Sequence, residues 1–249
     1  MSIVIKSDQE IAIMRQAGRI VAGILEVLKS QVKPGIKTEN LDVIAAKELE
    51  KRGAKSSFKG YRGFPATLCV SVNDEIVHGI PGKRILNEGD IVSLDFGAIY
   101  MGFHGDAAIT VGVGRISSQA EQLIKTTEGA LKAGMAAAHQ GARLGDISAT
   151  IQHYAESRGY SVVREYTGHG IGREMHEEPI IPNFGLREQG PLLKKGMALA
   201  IEPMVNIGDW RTRVGDNHWT VFTSDGSLSA HFENTIAVTD GEPEVLTAL

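Results

Sequence analysis

Apolar positions in the opening stretch recur with a helical period: Ile11, Met14, Ile20, Val21, Ile24, Leu25 and Leu28 mark one face. Ser7 and Glu10 precede that run with the spacing of a capping box, and Pro34-Gly35 closes it. A second helix is predicted over about Thr38 to Arg52, stopped by Gly53. The pattern then changes to short β-rich runs: "ATLCVSV" around Cys69, "DIVSLDFG" and "AAITVGVG". At Ser118 the order restarts. Ser118 and Glu121 predict another capping box and a helix to about His139; a further helix is predicted from about Asp146 to Arg158, before Gly159.

The two halves can be laid over one another. "PGIKTENLDVIAAKELEKRG" (34–53) matches "QGARLGDISATIQHYAESRG" (140–159), and "HGIP" matches "HEEP". "LNEGDIVSLDF" over "LKKGMALAIEP" sets Asp95 on Glu202, and "HGDAAITV" over "HFENTIAV" sets Asp106 on Glu233. The predicted fold is α+β, a duplicated half (about 7–114 and 118–240) related by a pseudo-two-fold axis, with the acids converging near that axis. No linker or charge block separates the halves, so 1–249 reads as one domain sharing one sheet.

Composition changes this picture little. The chain has 249 residues, 42% apolar and 22% charged, with 29 glycines, as suits a soluble globular protein. A net charge of −4 offers no basic stripe for nucleic acid. Cys69 is the only cysteine, so no intrachain disulfide forms and a reducing cytoplasm fits. "MSIVIKSDQE" meets acidic residues before any apolar stretch of signal-peptide length, and no run approaches the ~18 apolar residues of a membrane span. A cytoplasmic chain is expected.

The acids do change it. Four carboxylates in one interior repel and stay desolvated unless cations accompany them. Two divalent ions about 3.5–4 Å apart would balance their charge. A hairpin turning near Tyr100-Met101 would place Asp95 and Asp106 nearly opposite, on one face. His169, in the glycine-rich "GHGIG", supplies an imidazole, which shifts the expected metal towards Mn²⁺, Fe²⁺, Co²⁺ or Zn²⁺. Individually these residues have blander readings as turn, loop or core positions. His104, His139, His153, His218 and His231 read as ordinary histidines. No G-x-S-x-G elbow, H-E-x-x-H helix or phosphate-binding loop is present, and nothing in the sequence supplies Cys69 with an activating base.

"SVNDEIVHGIP", "DIVSLDFGAIYMGFHGDAAIT", "GHGIGREMHEEP", "MALAIEPM" and "WTVFTSDGSLSAHFENTIAV" together resemble the type I methionine aminopeptidases over nearly the full length, in the short form without a zinc-binding extension. The resemblance implies the α/β/α pita-bread fold with a mainly antiparallel sheet. It implies two divalent ions (Co, Mn, Fe or Zn), one held by Asp106, His169, Glu202 and Glu233, the other by Asp95, Asp106 and Glu233. A metal-bridging water or hydroxide would hydrolyse the first peptide bond, with Glu202 as proton shuttle. His176 would stabilise the tetrahedral intermediate and His78 would contact the scissile amide. Tyr61, Phe64, Cys69, Met175 and Trp219, with His78, fall at methionine-pocket positions, and Asn73, Glu75 and Ser229 at those of a monovalent-cation site. Departures lie in the pocket: Phe64 replaces Tyr, Met175 replaces Phe, Arg62 replaces His, and Phe58 stands where some members have Cys. The implied partners are N-termini of nascent polypeptides with a small second residue, met through a transient ribosome contact by a monomeric enzyme. Other readings are an Xaa-Pro peptidase, which normally carries a further N-terminal domain, and a non-catalytic binding module.

Overall fold

Ser7 caps the first helix as its spacing predicts: the hydroxyl accepts the Glu10 N–H at 3.3 Å, and the Glu10 carboxylate accepts the Ser7 N–H at 3.0 Å. The structure, a computed structural model, describes residues 2–249. Helix α1 spans Asp8–Gln31 and α2 spans Thr38–Lys51; α3 (Ser118–Ala136) and α4 (Leu144–Glu156) repeat the pair. One expectation shifts by a residue: the cap of α3 is Ser117, not Ser118. Ser117 has the extended backbone of a cap, and its hydroxyl accepts the Ala120 N–H at 3.1 Å. With Ala120 at the third helical position, no capping box forms with Glu121. The third helix also stops at Ala136, short of His139. No helix among the described residues is long and apolar enough to cross a membrane.

The strands in chain order are β1 Lys55–Ser56, β2 Cys69–Val72, β3 Glu75–Val77, β4 Ile91–Tyr100, β5 Phe103–Gly112, β6 Ser161–Val162, β7 Gly168–Gly170 and β8 Glu177–Ile181. They continue with β9 Ala198–Ile201, β10 Met204–Asn206, β11 Thr212–Val214, β12 Val221–Thr223, β13 Ser229–His231, β14 Glu233–Ala237 and β15 Glu244–Val245. The largest sheet runs β1-β4-β5-β14-β9-β7-β8, with β2 on β4 and β15 on β14, and its pairings are antiparallel. The predicted repeat is visible in it. Each helix pair is followed by an antiparallel strand pair, β4-β5 and then β9-β14, and the two pairs join where β5 meets β14.

Alternation along the strands sorts their side chains. Val70, Val92, Leu94, Phe96, Ala98 and Ala107 point to one face and pack with Val21, Ile24, Leu25 and Leu28 of α1 and Leu41 of α2. Leu199, Ile201 and Ile236 face the same way and pack with Leu123, Leu131, Ile147 and Ile151 of α3 and α4. Full burial stabilises each large aliphatic side chain by about 1.5–3 kcal/mol, so this helical face anchors the sheet. A Cβ at Gly105 would lie 2.9 Å from the backbone nitrogen of Gly18, so the missing side chain at Gly105 lets α1 rest directly on β5. The opposite face is left for polar groups.

Candidate metal centre

β4 and β5 turn at Met101-Gly102, whose φ values of 48° and 80° are both positive, as a two-residue hairpin turn favours. The sequence places this turn one residue earlier, which would set Asp95 against Asp106. The observed turn shifts each pairing by two: Asp95 faces Ala108, and Asp106 faces Gly97. A shift of two preserves the face, so both carboxylates still emerge together. On that face Cys69, Asp95, Ala108 and Glu233 form one cross-strand row. Two residues along, Thr235, Ala200 and His169 continue the face beside Asp106. Thr235 Oγ1 accepts the Asp106 N–H at 3.0 Å and donates to the Asp106 carbonyl at 2.8 Å, fixing the join between halves. Glu202 follows directly after β9, its carbonyl accepting from Asn183 Nδ2 at 3.0 Å.

The five expected ligands therefore converge. Asp106, His169 and Glu233 are 4%, 6% and 3% exposed, too little for water to solvate their charges. Oδ1 of Asp95, Oδ1 of Asp106 and Oε1 of Glu233 have no hydrogen-bond partner among the described residues. Burial raises the Asp95 carboxyl to about 7, with His231 opposing and Glu202 adding to the rise. It raises Glu202 to about 8, and it lifts Asp106 and Glu233 well above the carboxylate range, helped by the neighbouring acids. Burial also depresses His169 to about 3, with His176 a smaller cause. His169 Nδ1 donates to the Gly170 carbonyl at 2.9 Å, which leaves the Nε2 lone pair facing the acids, 3.6 Å from Glu202 Oε1. A neutral imidazole beside unpaired buried carboxylates is a donor set suited to divalent cations. Two subsets have donor atoms within 4.8 Å of one another: Asp106, His169 and Glu233, and Glu202, His231 and Glu233.

The acids line a cavity of about 330 Å³. Beside them Phe58, Phe64, Cys69 and Met175 are buried as an apolar cluster, with Tyr61 and Trp219 packed against it. Phe64 and Trp219 meet edge to face at 5.2 Å. The His176 ring lies 4.3 Å from that of His169, and its Nδ1 is 2.8 Å from the Tyr61 hydroxyl. His78 takes a positive φ of 59° and turns its ring edge towards Trp219 and Tyr166, 6.3 Å and 5.7 Å away. Desolvation first, then neighbouring histidines, hold His78 at about 4. His176 is also held at about 4, by desolvation and then Arg62, although its side chain opens to solvent. Both are neutral near pH 7. Burial and Asp95 push the Cys69 thiol up, so it packs and does not ionise.

The sequence profile of metallopeptidase family M24 matches residues 12–240. The chain belongs to that family. Within it the chain is similar to the methionine aminopeptidase of Clostridium perfringens, 53% identical over 247 residues, 99% of both chains. The crystal structure of the methionine aminopeptidase from Thermotoga maritima superposes with a TM-score of 0.98 at 45% identity, covering 100% of each. An Xaa-Pro dipeptidase from Bacillus anthracis superposes at 0.80 and 27% identity, over 98% of this chain and 62% of that one. These matches establish a metallo-aminopeptidase of the type I methionine aminopeptidase group with the pita-bread fold.

For this M24 peptidase, the expected monovalent-cation residues lie together at one edge. Ser229 N–H donates to the Asn73 carbonyl at 2.9 Å, and Asn73 takes a φ of 61°. The Glu75 carboxylate accepts from Val72 N–H and from Arg84, both at 2.7 Å. Tyr166 and His231 are among the residues that acquire a place the sequence did not suggest. Tyr166 lines the cavity beside His78. His231, read as an ordinary histidine, is 1% exposed, with Nε2 3.4 Å from Glu202 and 4.0 Å from Glu233. His231 ends β13 and Glu233 begins β14, with only Phe232 between them, and this brings the imidazole up to the acids of the main sheet.

Proposed function

We propose that this chain removes N-terminal methionine from polypeptides whose second residue is small, using two divalent ions held by Asp95, Asp106, His169, Glu202 and Glu233. The observation that carries this reading is the convergence of unpartnered buried carboxylate oxygens and the His169 lone pair beside an apolar slot. Divalent ions at such ligands polarise a carbonyl and lower the pKa of water, here in a site shielded from bulk solvent.

The chain's own residues supply the rest. Glu202 accepts and passes on the proton of the attacking water, since its carboxylate lines the cavity beside the other acids. With the Tyr61 hydroxyl donating to Nδ1, neutral His176 carries its proton on Nε2 and offers it to the oxygen that becomes negative in the transition state. His78, also neutral, contacts the scissile amide. Tyr61, Phe64, Cys69, Met175 and Trp219 bury the methionine side chain. Asn73, Glu75 and Ser229 bind a monovalent cation that steadies the strand edges. Residues 1–249 act as one catalytic domain, monomeric in the cytoplasm, on nascent chains. The test is hydrolysis of Met-Ala-Ser, Leu-Ala-Ser and Ala-Pro-Ala by chelated protein before and after Mn²⁺, Fe²⁺ or Co²⁺. Metal-dependent cleavage of Met-Ala-Ser is expected. Full activity in metal-free protein would remove the metal reading, and preference for Ala-Pro-Ala would favour a proline-directed peptidase.

A further inference from the structure

Among the described residues, His231 is a buried side chain, 1% exposed, with no hydrogen-bond partner at either of its polar atoms, Nδ1 and Nε2. Its backbone is fixed from both sides: the N–H donates to Thr110 Oγ1 at 2.9 Å, and its carbonyl accepts from that same hydroxyl at 2.7 Å. Ser93 Oγ lies 2.8 Å from Thr110 Oγ1, so the clamp is itself held by β4. A backbone held so firmly presents a buried ring with two polar atoms lacking hydrogen bonds, which needs a ligand to offset its desolvation.

We infer that His231 is a further protein ligand of the metal centre, binding an ion through Nε2 together with Glu202 and Glu233. The inference rests on the dinuclear reading above. The spacing supports it: metal–donor bonds are about 2.1 Å, so two donors on one ion lie no more than about 4.2 Å apart. Nε2 is 3.4 Å from Glu202 Oε2 and 4.0 Å from Glu233 Oε2. Both fall within that limit, as does the 3.6 Å between His169 Nε2 and Glu202 Oε1. Glu202 thus has an imidazole facing each of its oxygens. The expected five-ligand set contains one nitrogen donor; with His231 it contains two. A second imidazole favours Co²⁺, Fe²⁺ or Zn²⁺ over Mn²⁺ more strongly than carboxylates alone.

The test counts histidines on the metal directly. In the Co²⁺-loaded protein, each ligating imidazole gives a hyperfine-shifted, solvent-exchangeable ring N–H resonance in the proton NMR spectrum. Two are expected at saturation, falling to one in His231→Gln, with Co²⁺ affinity by calorimetry weakened about tenfold or more. A single resonance in the wild-type protein overturns the inference and leaves His231 as a neighbour of Glu202, even if His231→Gln weakens affinity. The wild-type count decides the matter if the variant fails to fold. Absence of any shifted resonance at saturating Co²⁺ would bring down the metal reading along with it.

Discussion

Glu202 stands between two imidazoles, with Nε2 of His169 and of His231 3.6 Å and 3.4 Å from its two oxygens. A group so placed moves protons at neutral pH; an amide of the same shape does not. Glu202→Gln is therefore expected to lower kcat by about 10²–10⁴, more than His78→Ala does, with a melting temperature close to wild type. Near-normal turnover in a folded, metal-loaded Glu202→Gln protein would rule out the shuttle. Met175 carries a second prediction. It is buried with Phe58, Phe64 and Cys69, and an unbranched thioether walls a slot less rigidly than an aromatic ring. Met175→Phe should raise the Met-to-Leu ratio of kcat/KM, within the about 1–3 kcal/mol that small differences in apolar shape command. Equal ratios in the two proteins would exclude Met175 from selectivity. At this scale, repetition made residues legible: Asp95, Asp106, Glu202 and Glu233 stood out because the halves align them. The same alignment sets His231 on His104, whose Nδ1 lies 2.9 Å from Ser57 Oγ, so repetition alone does not mark it; its character depends on Glu202, which follows a different strand.

Elements are delimited by backbone geometry that neighbouring residues share, and so their ends read less clearly than their middles. The face of α1 follows from its apolar period, whereas Ser117 and Ser118 are equally good caps on composition. What distinguishes them is where the chain leaves the extended conformation, and Ser117 is the residue that does so. Ser117→Ala is expected to cost about 1 kcal/mol of unfolding free energy, and Ser118→Ala, already inside the helix, close to nothing. Urea unfolding of the two variants distinguishes them, and equal losses would return the cap to ambiguity. The hairpin shows the same limit. Any two-residue turn near Gly102 satisfies the alternation, and the observed turn sits one residue beyond the expected one. The site stays intact, because moving the turn by one residue moves the register by two.

Across the whole molecule, the acids set the protein's response to pH. Asp95 and Glu202, with ordinary values of 3.8 and 4.5, titrate at about 7 and about 8 in the metal-free fold, and Asp106 and Glu233 lie well above their ordinary values. The folded state therefore holds protons that the unfolded chain has already released, and stability falls as pH rises through these folded values. The histidines act in the opposite sense. His78, His169 and His176 are depressed from 6.5 to about 4, 3 and 4, so they destabilise the fold at acid pH and release it from that penalty as pH approaches 6.5. Above 6.5 they are neutral in both states, and only the acids still titrate. The metal-free protein is expected to melt at a lower temperature at pH 8 than at pH 6.5. Divalent ions bind the deprotonated acids, so their stabilisation should be larger at pH 8, and binding should release protons. Thermal melts of chelated and Mn²⁺-loaded protein at the two pH values, with calorimetry in buffers of different ionisation enthalpy, measure both. A metal-free melting temperature unchanged between pH 6.5 and 8, with no proton release on Mn²⁺ binding, would mean that the four carboxylates do not share one desolvated site.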